Sequence, residues 1–457
     1  MKNFSISKII TFGVALTTMV LFQSGDILSQ NKSSKNSSIS INRNSNNGKS
    51  TIHVKENGKD FKIEYEGEFT LSNDDKDITA ITQGGFIEIT KSSFGNRRRI
   101  LIESDRNGTL IRKFYVGSSE KSYLPEGKAW LAEILPEVVR SSGIAAKSRV
   151  ARFYSSGGAN GVLREIQKLE SDYVKSIYFR LLLENNLNNS ELISVIRASG
   201  KEIESDHYLA EILKSNQKAF LANRETINAY IEASASLESD HYVTNVLKKV
   251  ISDSSITDSQ MESLLDISKK IESDHYVTQV LIELMERRTL NSGNISKIIR
   301  LSKDIESDHY KTEVLKKVIR DEEIPANAYN SIMETMEDIE SDHYISEVVK
   351  ELMNGRMKVS SGGLTSLVSL VNNNVESDHY ASNIYKWIAK EDLSEDQIIT
   401  ALNSAKSINS GHYLSEVLIA FSGKVKRSSE RVKSAYRTAA KSIKSDSYYG
   451  RAVKAID

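Results

Sequence analysis

The chain has 457 residues, with Lys+Arg and Asp+Glu both at 61 and no cysteine. So even a balance gives no whole-molecule field to draw nucleic acid or an anionic membrane surface. Without thiols there is no disulfide, no thiolate nucleophile and no cysteine-ligated zinc.

Lys2 and Lys8 precede an apolar run from Ile9 to Phe22, which breaks into Gln23-Ser24-Gly25. A positive flank, a short apolar core and a small polar exit predict a secretory signal peptide over residues 1–29. Residues 30–50 are almost wholly Ser, Asn, Lys and Gly and read as a disordered linker, because they bury too little surface to offset their ordering entropy. No later segment approaches eighteen apolar residues, so no stable membrane insertion is expected after cleavage.

From Thr51 the period becomes two, with Phe61, Ile63, Tyr65, Phe69 and Leu71 alternating with polar residues. Asn57-Gly58 and Asn107-Gly108 supply hairpin turns, so residues 51–122 are predicted to form a small antiparallel β-domain of about six strands. A helical bridge follows over 123–155. Trp130, Leu131, Ile134, Leu135, Val138 and Val139 share one helical face, Pro136 should kink or split that helix, and a second helix runs from Ile144 to Tyr154. Ser155-Ser-Gly-Gly-Ala-Asn-Gly161 reads as a hinge.

The sequence Glu-Ser-Asp-His-Tyr then recurs at Glu204, Glu238, Glu272, Glu306, Glu340 and Glu376, the first five at a spacing of 34 residues and the last at 36. Degenerate copies begin at Glu170, Asn409 and Lys444. Such a period marks units that bury their apolar faces only by stacking on neighbours. Around Glu272, Thr257-Asp-Ser-Gln260 is a capping box that opens one helix, and Tyr276, Val277, Val280, Leu281 and Leu284 line a second. Pro325 marks another first-helix start, and the extra two residues before Glu376 are assigned to a loop at Ser360-Ser-Gly-Gly363. The fold class is therefore α+β, mainly α: the β-domain, then a right-handed-type αα solenoid of about nine 34-residue two-helix repeats over 156–457. Residues 424–457 carry ten Lys/Arg against three Asp/Glu, the polar outer face of a terminal unit or an anion-binding end.

The repeated box has a structural reading. Ser205 and its equivalents act as N-caps, Asp206 favours the positive helix end, Tyr208 is the first buried anchor, and His207, mostly neutral, bridges to a neighbouring unit. A second reading makes the ladder a metal or small-ligand site, with His of one unit and Asp of the next converging on a divalent cation. Its candidate ligands are Asp206, His207, Asp240, His241, Asp274, His275, Asp308, His309, Asp342, His343, Asp378 and His379. There is no Gly-x-Ser-x-Gly elbow, no phosphate loop and no His-Glu-x-x-His. No catalytic residue, no cofactor and no enzymatic activity are expected.

The two-helix period resembles tetratricopeptide and HEAT-like arrays in length and architecture, without the tetratricopeptide signature residues. Trp130-Leu-Ala-Glu-Ile-Leu-Pro-Glu-Val-Val-Arg140, Arg149-Val-Ala-Arg152 and the Ser-Asp-aromatic repeats resemble the extracytoplasmic region of bacterial membrane metallopeptidases of the beta-lactam-sensor antirepressor family, without their peptidase domain. The resemblance runs from about Gly84 to the end and implies a bacterial envelope protein with a sensory or partner-binding ectodomain. Taken together, the residues and the resemblance predict an exported, periplasmic or secreted, non-enzymatic scaffold that binds a protein or peptide partner and no nucleic acid.

Overall fold

The computed structural model describes residues 38–43, 48–56, 59–93, 96–253, 256–321, 328–354 and 361–457. The expected signal peptide, much of the expected linker, Asn57-Gly58 and Pro325 lie outside the described residues. No described helix is long and apolar enough to cross a membrane. The chain divides into two compact units, residues 1–152 with 168–174 and residues 153–167 with 175–457.

The first unit is built on antiparallel strands: β1 (Ser38–Arg43), β2 (Ser50–Glu56), β3 (Lys59–Glu66), β4 (Phe69–Leu71), β5 (Ile78–Ile81), β6 (Phe86–Ser93), β7 (Asn96–Ser104), β8 (Leu110–Val116) and β9 (Ser119–Lys121). Seven of them form one sheet in the order β1-β2-β3-β6-β7-β8-β9, and β4 pairs with β5. Register explains why the alternating residues choose one face. Ile52 lies opposite Ile63, Ile63 opposite Ile89, Ile89 opposite Ile100 and Ile100 opposite Phe114, a buried row across five strands. A β7–β8 turn does fall at Asn107-Gly108, but as a longer loop in which Gly108 (φ +82°) and not Asn107 has positive φ, held by the Asp105 carboxylate accepting the Asn107 and Thr109 amides.

Two expectations fail in this unit. Strand β1 falls inside the segment read as a disordered linker, because ladder bonds to β2 use backbone groups that a Ser/Asn-rich stretch also possesses. Of the kink or split expected at Pro136, the split does not occur: α1 (Lys128–Ser142) runs through it. Trp130, Leu131, Ile134, Leu135, Val138 and Val139 belong to the same buried cluster as the sheet, so packing on both sides of the proline holds the helix. The β4–β5 turn is fixed by Asp75, at φ +59°, whose carboxylate accepts bonds from buried Arg149 at 2.9 and 3.0 Å and from Arg152 at 2.6 Å.

Helix α2 (Ala146–Ile166) loses helical geometry at Gly157 and Gly158, within the expected hinge. Beyond it come α3 (Asp172–Leu183), α4 (Asn189–Glu202), α5 (Asp206–Ser215), α6 (Gln217–Phe220), α7 (Arg224–Ser234), α8 (Asp240–Asp253), α9 (Asp258–Ser268) and α10 (Asp274–Arg287). The series continues with α11 (Ser292–Lys303), α12 (Asp308–Asp321), α13 (Ala328–Met336), α14 (Asp342–Asn354), α15 (Ser361–Asn374), α16 (Asp378–Ile388), α17 (Glu395–Ser404), α18 (Gly411–Lys426), α19 (Glu430–Ala440) and α20 (Asp446–Lys454).

The second unit is a repeat-like array in two layers. First helices stack on first helices (α7 on α4, α13 on α11, α19 on α17), and second helices do the same (α10 on α8, α14 on α12, α18 on α16). The capping boxes at Thr257/Gln260 and Ser394/Gln397 form as read. Ser361, Gly362 and Gly363 belong to the first turn of α15 rather than to a loop, a place where amide hydrogens have no intrahelical partner to lose.

Candidate functional site

Each second helix from α5 to α16 begins at the Asp of its box, with the preceding Ser just outside the helix. That Ser does not cap. Ser205, Ser273, Ser377, Ser410 and Ser445 make no side-chain cap hydrogen bond, contrary to expectation. The cause is backbone geometry. Residues that do cap (Asn188, Asn223, Thr257, Asn291 and Ser394) sit at ψ between 161° and 169°, whereas the box serines sit between 114° and 121°, which turns the hydroxyl away from the first helical turn.

The serine contributes its backbone instead. Across every interval from α5 to α18, the Asp of one repeat accepts two amides of the next. Asp240 takes the N–H of Ser273 at 2.8 Å and of Glu272 at 3.2 Å. Asp274 takes Ser307 at 2.7 Å and Glu306 at 3.2 Å. Asp206, Asp308, Asp342 and Asp378 repeat the arrangement on Ser239, Ser341, Ser377 and Ser410. An ionised acceptor makes these the stronger kind of hydrogen bond.

Beside this carboxylate ladder runs a ladder of rings. Each imidazole from His207 to His412 packs on the tyrosine of its own box, with centroids 5.0 to 5.4 Å apart, and on that of the following box at 5.4 to 6.2 Å. The stack runs unbroken from Tyr208 to Tyr448, with rings inclined by roughly 60°, the edge-to-face geometry aromatic pairs prefer. His207, His241 and His275 also meet the next tyrosine hydroxyl through Nδ1 at 3.3, 3.5 and 3.2 Å. The imidazoles of His207 and His309 are about half exposed. The burial expectation holds only for Tyr208. Tyr242, Tyr276, Tyr310, Tyr344, Tyr380 and Tyr413 are half-buried, because one edge of each ring faces solvent beside its histidine.

Between two successive boxes lies an open groove. It has a volume of about 400 Å³ and is lined by Glu306, Ser307, Asp308, His309, Asp338, Glu340 and Tyr344. The candidate metal ligands are brought close in space but turned to different tasks: the Asp carboxylates face backbone amides, and the imidazoles lie among tyrosines. Among the described residues, no three His, Asp or Glu side chains converge to hold a metal ion. Arg149 and Arg152, part of the sequence resemblance, anchor the β4–β5 turn.

Sequence reasoning missed a third inter-repeat device, on the second helices. Lys316 reaches Glu347 at 2.8 Å, Arg320 reaches Glu351 at 2.7 Å and Lys386 reaches Glu416 at 3.1 Å. The signal was available as opposite charges 30 or 31 residues apart, just under one period. The ammonium beside each holds the Glu347 and Glu416 carboxyls below the usual carboxylate range.

No protein-family model matches this chain. No curated protein matches it either. Among solved structures, one described as "Computational Design of Self-Assembling Cyclic Protein Homooligomers" aligns over 70% of this chain and 90% of its own, at 12% identity and a TM-score of 0.09. A superposition that poor carries no argument about fold or function.

Proposed function

We propose that this chain is an exported, non-enzymatic scaffold of the bacterial envelope, whose αα solenoid presents one long face to a protein or peptide partner. The observation that carries the reading is how the repeated polar residues are used. Asp206 to Asp378 are spent on the next repeat's amides, which leaves the Glu, His and Tyr edges of successive boxes as a continuous solvent-facing band. Arrays of this kind serve as extended binding surfaces. Export rests on the apolar segment after Lys8 and on the resemblance to envelope ectodomains.

The test has two arms. Mass spectrometry of the native protein is expected to give an N-terminus within the segment from Ser24 to Asn31, in an extracytoplasmic fraction; an intact Met1 in the cytoplasm overturns export. Peptide-display selection on the full mature chain is expected to enrich sequences whose binding is lost on Glu272→Ala with His275→Ala. Enrichment of no sequence, or binding indifferent to those substitutions, overturns the assigned face.

A further inference from the structure

The band of boxes is not uniform in charge. Its first position reads Glu at 238, 272, 306, 340 and 376, then Asn409, then Lys444, and every one of these side chains is exposed. Lysines also stand three residues upstream of several boxes: Lys269 and Lys303 pair with Asp266 and Asp338, whereas exposed Lys406 and Lys441, before the last two boxes, have no carboxylate within salt-bridge distance among the described residues. Arg451 lies 5.8 Å over Tyr448, where the ring ladder ends. The wider composition follows the same gradient. Residues 153–423 carry 28 Lys and Arg against 42 Asp and Glu, a net of −14, whereas residues 424–457 carry a net of +7. Lys441 and Lys444 have no carboxylate within salt-bridge distance among the described residues, although Lys433 and Arg437 nearby both pair with Glu430.

A face that is acidic along most of its length and basic at one end is complementary to itself in one orientation. Two copies laid antiparallel, face to face, bring the basic end of each onto the glutamate row of the other. Laid parallel, they oppose like charge with like. A two-fold axis is the simplest way to satisfy both contacts with one surface, and it is the commonest symmetry of homo-oligomers.

We propose that this face is a self-complementary docking surface on which a second copy of the chain binds antiparallel about a two-fold axis, covering the half-exposed His and Tyr edges. The proposal deepens the scaffold reading by naming its first partner, and it rests on that reading for the identity of the face.

Sedimentation equilibrium of the full mature chain tests it. In about 50 mM salt a monomer–dimer equilibrium is expected, weakening on the order of tenfold at about 500 mM salt as screening tightens. Lys441→Glu with Lys444→Glu makes the whole face acidic, and Glu272→Lys with Glu306→Lys and Glu340→Lys makes it mostly basic. Each variant alone is expected to be monomeric, and the mixture to form a 1:1 heterodimer. All substituted residues are exposed, and unchanged circular dichroism will verify folding. A wild type that stays monomeric in about 50 mM salt overturns the proposal, as does a dimer that survives both sets of substitutions. Peptide binding that persists on a monomeric wild type overturns it while leaving the scaffold reading intact.

Discussion

The Asp274 carboxylate crosses a repeat boundary to accept the Ser307 backbone N–H at 2.7 Å, a bond spanning 33 residues of sequence. This places the cohesion of the box in the aspartate and not in the serine beside it. Asp274→Ala removes an ionised acceptor from two amides and is expected to destabilise the array by about 2–3 kcal/mol. Ser273→Ala, at a residue whose side chain does not cap, is expected to cost less than about 0.5 kcal/mol. Urea unfolding of both variants checks the order; equal losses would return the role to the hydroxyl.

Gly200 on α4 has no room for a side chain. A Cβ there would sit 2.7 Å from Ala233 Cα on α7, a backbone atom that moves only with its helix. Gly200→Ala is therefore expected to destabilise by about 1–3 kcal/mol through overpacking, outweighing the helix propensity it gains. A stabilised variant would show that the two helices can part without cost.

In the first unit, Arg149 is fully buried against Asp75. Asp75→Ala leaves an uncompensated buried guanidinium, with an expected loss of about 3–5 kcal/mol. Asp75→Asn keeps the tolerated positive φ and one acceptor, and is expected to lose less. The reverse order in thermal melts would assign the effect to the backbone.

The pH dependence follows from Glu347 and Glu416, whose carboxyls lie low mainly because Lys316 and Lys386 donate hydrogen bonds to them. A carboxyl depressed in the folded state adds stability that is present above its unfolded pKa and is lost as pH falls through its folded value. Stability should therefore decline below the ordinary glutamate range, near about 4.3. Lys316→Gln should flatten the acid limb; a limb identical to that of the wild type would remove this pair from the account.

Chelation separates the two readings of the box. On the structural reading, EDTA leaves the melting temperature of wild type and His275→Gln unchanged. A ligand held only by the folded state would stabilise it by mass action. A fall of several degrees in EDTA that His275→Gln diminishes would establish the metal ladder.

Much of this architecture was legible in the sequence. The alternation around Phe61 and Ile63, the capping boxes at Thr257 and Ser394, and the glycine break at 157–158 are local signals, and each appears where it was read. The misreadings share a cause. An N-cap rule looks two or three residues ahead, but the partner that matters for Ser273 is Asp240, 33 residues back. Pro136 and β1 likewise depend on packing and pairing partners that are distant in sequence. The Lys316–Glu347 pair carries a weak sequence signal, opposite charges 31 residues apart, that takes meaning only from the stacking of α12 on α14.

Gly411 stands where the box aspartate would be, so no box carboxylate reaches the last box, and the last repeat is tied to the one before it through Glu395, which accepts the Ser429 N–H and hydroxyl. Ser447 likewise stands in the histidine position of the final box. The array is thus a zipper with one tooth absent near its end. In the slow opening that amide exchange reports, the α18–α20 side of this seam is expected to open before the six described seams that a box aspartate bridges.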